Sequence, residues 1–196
     1  MMKRWIRLAF AMLLPALLAA CEAGPAAPAN AALTQGKPMK ASKTYLYLLR
    51  KTPFFTGLDT AQLRWTIGHS REWEVDAGTV IAQCQGTGAA STDMWVLLDG
   101  GWQLEHAGHA YPAGHAAPGK WFSADRGAGG CRVVATGHSY VMQIARAEFD
   151  AMVAQGFAFG PHLDAGRRYY DGIFSAAMTA RADNAGHAGR AGRAAP

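Results

Sequence analysis

LRKTPFFTGLDTAQL, residues 49–63, carries the punctuation from which the rest of the chain can be read. Tyr45, Leu46, Leu48 and Leu49 precede it with helical spacing, and Thr52-Pro53 stops that helix, because a residue before proline is pushed out of the helical region. Asp59 then suits an N-cap, its side chain accepting from the orphan N–H groups of a new first turn. Gln62 sits three residues on, where it can reach back to the cap, and Leu58 and Leu63 are spaced to staple the entry. The spacing predicts a second helix running to Gly68 or His69 and burying Leu63 and Ile67.

From Glu72 the period shortens to that of strands. Trp73 and Val75 alternate, Asp76-Ala77-Gly78 turns the chain, and Thr79–Cys84 follows. After a Gly/Ser-rich loop over 86–92 come Met94–Leu98, a turn at Asp99-Gly100-Gly101, and Trp102–Leu104. Further short apolar runs stand at Trp121-Phe122, Val133–Ala135 and Tyr140–Ile144. Helical spacing returns with Phe149, Met152 and Val153. Pro161 then opens a last helix in which Leu163, Tyr170, Phe174 and Ala177 line up, with Gly166 and Gly172 weakening it. The fold class is mainly β with flanking helices: a β-roll (jelly-roll or cupin-like) or small barrel, with short N-terminal and C-terminal helices.

These elements resemble, in order, the cyclic nucleotide-binding domain of catabolite-activator-type regulators and kinase regulatory subunits. The opening motif is LRKTPFFTGLDTAQL. Gly78-Thr79-Val80-Ile81 matches the family's Gly-x-x-Ile strand, and Met94–Gly100 its Leu-Tyr-x-Val-x-x-Gly. Pro118–Ala124 matches Pro-Gly-Asp-x-Phe-Gly-Glu, and Val141–Phe149 the closing strand and helix entry. Each motif alone is weak, and five in order over residues 45–155 are stronger.

The resemblance implies a phosphate cassette in which a Glu holds the ribose, helix N–H groups meet the phosphate and an Arg neutralises it. This chain departs there: Ser123 and Ala124 occupy the Gly-Glu positions, and the Arg position falls near Gly129. Losing both anchors removes charge-assisted bonds of about 1.5–3 kcal/mol each, so cyclic nucleotide is not an expected ligand. Ser123, Asp125, Arg126 and Arg132 are the candidates for a shifted ligand-binding set. The resemblance also implies that the strand ending at Cys84 pairs antiparallel with the strand beginning at Cys131, which would bring the two into a disulfide.

At the N-terminus Lys3, Arg4 and Arg7 precede an apolar run from Leu8 to Leu18, too short to span a bilayer comfortably and interrupted by Pro15. Leu18-Ala19-Ala20-Cys21 resembles the lipobox of bacterial lipoproteins. That resemblance implies cleavage before Cys21, acyl chains on Cys21 and anchoring in a lipid bilayer. Glu22 after the cysteine points to the outer membrane, facing the periplasm. The expected organisation is a signal peptide over 1–20, a flexible tether over 21–41, the β-roll domain over 42–180 and a disordered tail over 181–196. With the signal removed, the formal charge of +5 falls to +2, and 42–180 carries −1. That excludes a nucleic-acid binder with its positive charge on the folded domain. Of three cysteines, lipid would take one, leaving an even pair in an exported protein.

No nucleophile triad is discernible, so no catalytic residue, metal ligand or cofactor is assigned. The leading expectation is a non-catalytic lipoprotein whose roll serves as an interaction or envelope-assembly module with a protein partner. One alternative is a nucleotide or anion sensor using the shifted set. The other is a cupin-like metal enzyme using His106, His109 and His115, against which stands the Gly108 turn expected to put His106 and His109 on different faces. Trp65, Trp73, Trp95, Trp102 and Trp121 are expected to pack in the core, with one or two as candidates for a docking patch.

Overall fold

A computed structural model describes residues 37–84, 92–126 and 130–191, and their side chains except at 126 and from 180 onward. The signal segment 1–20, Cys21 and residues 22–36 of the tether lie outside the described residues, as do 85–91 and 127–129. The described elements all fall in one compact unit, Gln35–Pro196. They are β1 (Lys40–Ser42), α1 (Leu46–Lys51), α2 (Thr60–Gly68), β2 (Arg71–Val75), β3 (Val80–Cys84), β4 (Met94–Asp99) and β5 (Gly101–His106). There follow β6 (His109–Gly114), β7 (Trp121–Ser123), β8 (Cys131–Ala135), β9 (Ser139–Ile144), α3 (Arg146–Ala154) and α4 (Gly160–Ala191).

Local chemistry accounts for the helix boundaries. Asp59 accepts from the Gln62 backbone N–H at 2.8 Å, while the Asp59 N–H donates to Gln62 Oε1 at 3.1 Å, completing a capping box. α1 stops at Lys51, and a 3₁₀ turn over Pro53–Phe55 follows with both phenylalanines buried.

Two antiparallel sheets form the roll, one ordered β1-β2-β9-β4-β7 and the other β3-β8-β5-β6. β4 explains its own unbroken apolar run, because both of its faces are covered. Met94, Val96 and Leu98 face a core shared with Leu49, Phe54, Phe55, Leu63 and Phe159 from the helical layer. Trp95 and Leu97 face a second core between the sheets, with Trp102, Leu104, Phe122, Val133 and Val141.

α4 completes that second core with Tyr170 and Ile173. The Tyr170 hydroxyl donates to the Gly119 and Trp121 carbonyls, at 3.1 and 2.7 Å, and burial pushes its phenol well up. The Trp102 and Trp121 ring N–H groups likewise find carbonyls, on Gly119 (2.8 Å) and His162 (2.9 Å).

Several expectations are corrected. Ser42 was the expected start of order, yet Lys40–Ser42 already pairs with β2, and α4 continues to Ala191 past the expected boundary at 180. Val153 is 47% exposed and leaves the core to Phe149 and Met152. Ile173, one residue from the Phe174 expected on the buried face, is the more buried of the two. Trp95, Trp102 and Trp121 are core residues, while Trp65 stacks on His69 and Trp73 donates to Gln143. Among the described residues, the large exposed hydrophobics are Tyr45, Tyr47, Val153 and Met178, none of them tryptophan.

Candidate functional site

At the mouth of the roll, β7 leads through a 3₁₀ turn over Ala124–Arg126 toward β8. Ser123 is buried, and its hydroxyl donates to the Thr92 carbonyl at 2.9 Å, tying the end of β7 to the approach of β4. Asp125 accepts from Arg146 Nη1 at 2.7 Å. The same guanidinium donates through Nε to Asp150 at 2.9 Å, and the Asp150 and Asp125 bonds together raise the arginine above its ordinary value. The link clamps the cassette turn to the first turn of α3. Arg126 has a described backbone only.

Arg132 lies elsewhere. On β8 it alternates with Cys131 and Val133, which face the interior, so its exposed side chain stands on the outer face of the second sheet. There its Nε donates to Glu105 Oε2 at 2.6 Å, while Gln103 donates to Glu105 Oε1 at 2.8 Å. The Gln103 bond, then Arg132, holds the Glu105 carboxyl below the usual carboxylate range. Ser123, Asp125 and Arg132 therefore do not converge. Each is paired within the fold, two on side chains the sequence reading did not assign, Arg146 and Glu105. The Arg146–Asp150 spacing of i, i+4 was a visible signal, but the tertiary partner Asp125 was not.

Cys84 and Cys131 stand opposite each other in register across β3 and β8, Cα to Cα 4.9 Å, and are joined as a disulfide. The Gly130 N–H donates to the Cys84 carbonyl at 3.1 Å, so backbone and covalent bonds meet at one point of the mouth. Behind the bridge, Trp95, Trp102, Phe122, Tyr170 and Ile173 fill the space between the sheets.

The histidines form no common site. Ala107 (φ 51°) and Gly108 (φ 81°) make a two-residue hairpin that sets His106 directly opposite His109. The two consequently share a face, contrary to expectation, because cross-strand partners project to the same side. Their environments still differ. His106 is buried with its edge against Phe174, ring centroids 5.0 Å apart, whereas His109 is exposed. His115 lies at the other end of the hairpin, 3.9 Å from Asp99. Among the described residues no group of three or more His, Cys, Asp or Glu is placed to hold a metal.

Lys120 is a further polar residue that nothing in the sequence singled out. It is 6% exposed and its ammonium is depressed by burial, while burial and Lys120 together depress His162.

cAMP-bound PfPKA-R (141–441) matches with a TM-score of 0.50 at 14% identity, over 67% of this chain and 45% of that one. The likeness is one of fold: this chain folds like part of that cAMP-bound protein. Sp-2Cl-cAMPS-bound PKAR CBD2 matches with a TM-score of 0.49 at 12% identity, covering 70% of this chain and 89% of that one. A putative cyclic nucleotide-binding protein from Geobacter metallireducens GS-15 matches with a TM-score of 0.47 at 22% identity, over 70% and 98%. This chain thus spans about half of PfPKA-R (141–441) and nearly all of the Geobacter protein. No protein-family model matches the sequence, and neither does any curated protein.

Proposed function

We propose that this chain is a bacterial lipoprotein, anchored through acylated Cys21 in the outer membrane and facing the periplasm. Its cyclic nucleotide-binding-type roll works as a non-catalytic interaction or envelope-assembly module and does not bind cyclic nucleotide. One observation carries the loss of binding. The candidate ligand side chains are already paired within the fold, Ser123 on Thr92 and Asp125 on Arg146 at the mouth, and Arg132 on Glu105 at the outer face of the second sheet. A ligand using these groups would first have to open their bonds, at about 0.2–1 kcal/mol for each exposed ion pair and about 1 kcal/mol for the Ser123 hydrogen bond. The aromatic filling between the sheets and the disulfide at the mouth support a closed roll that presents its outer surface to a partner.

The lipid anchor is supported by the order of charged, apolar and small residues before Cys21. A disulfide in the folded domain suits an oxidising compartment. Metabolic labelling with palmitate tests the anchor. The full chain is expected to take up label and sediment with membranes, and Cys21→Ser to lose both. Unlabelled wild-type protein in the soluble fraction would refute it.

A further inference from the structure

The positive charge of the domain is concentrated at its start. Lys37, Lys40, Lys43, Arg50 and Lys51 fall in fifteen residues that contain no acid, whereas residues 52–180 sum to −4. All five are exposed, and among the described residues none of them is in an ion pair. Glu74 is the acid in register with Lys40, but its carboxylate lies 3.7 Å from His138. Glu72, in register with Ser42, is buried. Arg50 donates to the Thr60 hydroxyl, which fixes its position and leaves its charge uncompensated.

Two large aromatics stand among these cations. Tyr45 and Tyr47 are each 68% exposed, and Lys51 Nζ sits 4.2 Å from the centre of the Tyr47 ring. A tyrosine pays solvent exposure over its ring in water and is favoured at a membrane–water interface, where ring and hydroxyl meet different surroundings. The strip is also the first described stretch after the lipobox. Lys37 is sixteen residues from Cys21, a fully extended reach of roughly 55 Å, so an anchored chain keeps the strip within reach of the bilayer. α1 has six residues and its Leu49 is already in the core, which leaves adsorption at the headgroups rather than insertion.

We propose that residues 37–51 form a second, non-covalent membrane contact, in which the five cations and two tyrosines seat the domain against an anionic phospholipid surface. The proposal rests on the lipid-anchor reading for its biological setting. The acyl chains supply retention, and the strip sets which way the roll faces. Each cation near such a surface is worth about fivefold in partitioning, and the attraction fades with added salt.

Residues 22–196, which contain the whole compact unit and lack the anchor, provide the test by co-sedimentation with vesicles. The fragment is expected to bind phosphatidylglycerol-containing vesicles, to ignore pure phosphatidylcholine, and to release in high salt. Lys40→Gln/Lys43→Gln/Lys51→Gln should weaken partitioning by about 100-fold, and Tyr45→Ala/Tyr47→Ala by several-fold. Arg132→Gln/Arg167→Gln/Arg168→Gln, equal in net charge, should leave it unchanged, with folding of each variant checked by its thermal midpoint. No binding to anionic vesicles overturns the proposal. So does equal weakening by the control triple, or preference for duplex DNA over vesicles. Failure of palmitate labelling with vesicle binding intact would remove the anchor and leave the surface standing. The reverse result would remove the surface alone.

Discussion

Gly166 and Gly172 lie six residues apart on α4, and the same substitution at each should move stability in opposite directions. In a helix interior, alanine is favoured over glycine by about 1 kcal/mol. At Gly172 nothing lies within 4 Å of an added Cβ and the residue is exposed, so the full propensity gain should appear. At Gly166 the added Cβ would meet Nε1, Cε2 and Cζ2 of Trp121, all within 3.0 Å. Trp121 cannot yield cheaply. It is 1% exposed, its ring N–H donates to the His162 carbonyl, and Tyr170 packs on it edge to face with centroids 6.0 Å apart.

Overpacking a filled site costs about 1–3 kcal/mol, and a weakened hydrogen bond adds about 1. Against the propensity gain, Gly166→Ala should destabilise by about 2 kcal/mol net. For a domain of this size that is a fall in Tm of about 4–8 °C, beside a rise of about 2–4 °C for Gly172→Ala. Differential scanning calorimetry of the two variants reads both signs. A Tm that rises for Gly166→Ala would refute the seating of α4 on Trp121, and with it the closed interior that Tyr170 and Ile173 complete.

Reducing the Cys84–Cys131 bridge, which links residues 47 apart, should cost about 4 kcal/mol in urea unfolding by the chain-entropy model. Two free thiols in the oxidised, denatured protein would contradict the pairing. Lys120 is depressed by burial, so the unfolded state binds more protons between its lowered folded value and the ordinary 10.5. Stability should therefore rise with pH across that window. Lys120→Met should be more stable at pH 7 and lose that slope, and an unchanged slope in a pH series of urea melts would reject the assignment. Arg146→Ala should release the cassette turn from α3 and leave Asp125 and Asp150 without their shared cation. Because all three groups are partly exposed, the stability cost should stay near 1 kcal/mol. Hydrogen exchange at Asp125 should accelerate well beyond that in α2, and equal protection in the variant would mean the ion pair does not hold the turn.

The helix starts and most of the strand positions were legible because their causes are local. Asp59 and Gln62 are three residues apart, Asp99-Gly100-Gly101 can only turn, and the apolar runs have the length of strands. What escaped depends on partners distant in sequence. Gly166 reads as a helix weakness until Trp121 is placed on it. Lys40–Ser42 has tether-like composition and becomes a strand only because β2 offers an edge. His106 and His109 looked divided by a turn, yet a two-residue hairpin makes them cross-strand neighbours. At the mouth, Ser123, Ala124 and Gly129 stand where the resemblance led one to expect a Glu and an Arg. That Asp125 would be held by Arg146, and Arg132 by Glu105 on an outer face, was not legible. Both pairings come from tertiary register rather than from spacing along the chain.

The central claim is that a cyclic nucleotide-binding fold persists here without its ligand. Isothermal titration of residues 22–196 with cyclic AMP and with cyclic GMP tests it most directly. The account predicts no saturable heat with either nucleotide from a protein that is folded and disulfide-bonded. Saturable binding in the micromolar range by either one would contradict it, and would mean that the bonds of Ser123, Asp125 and Arg132 open to make a site.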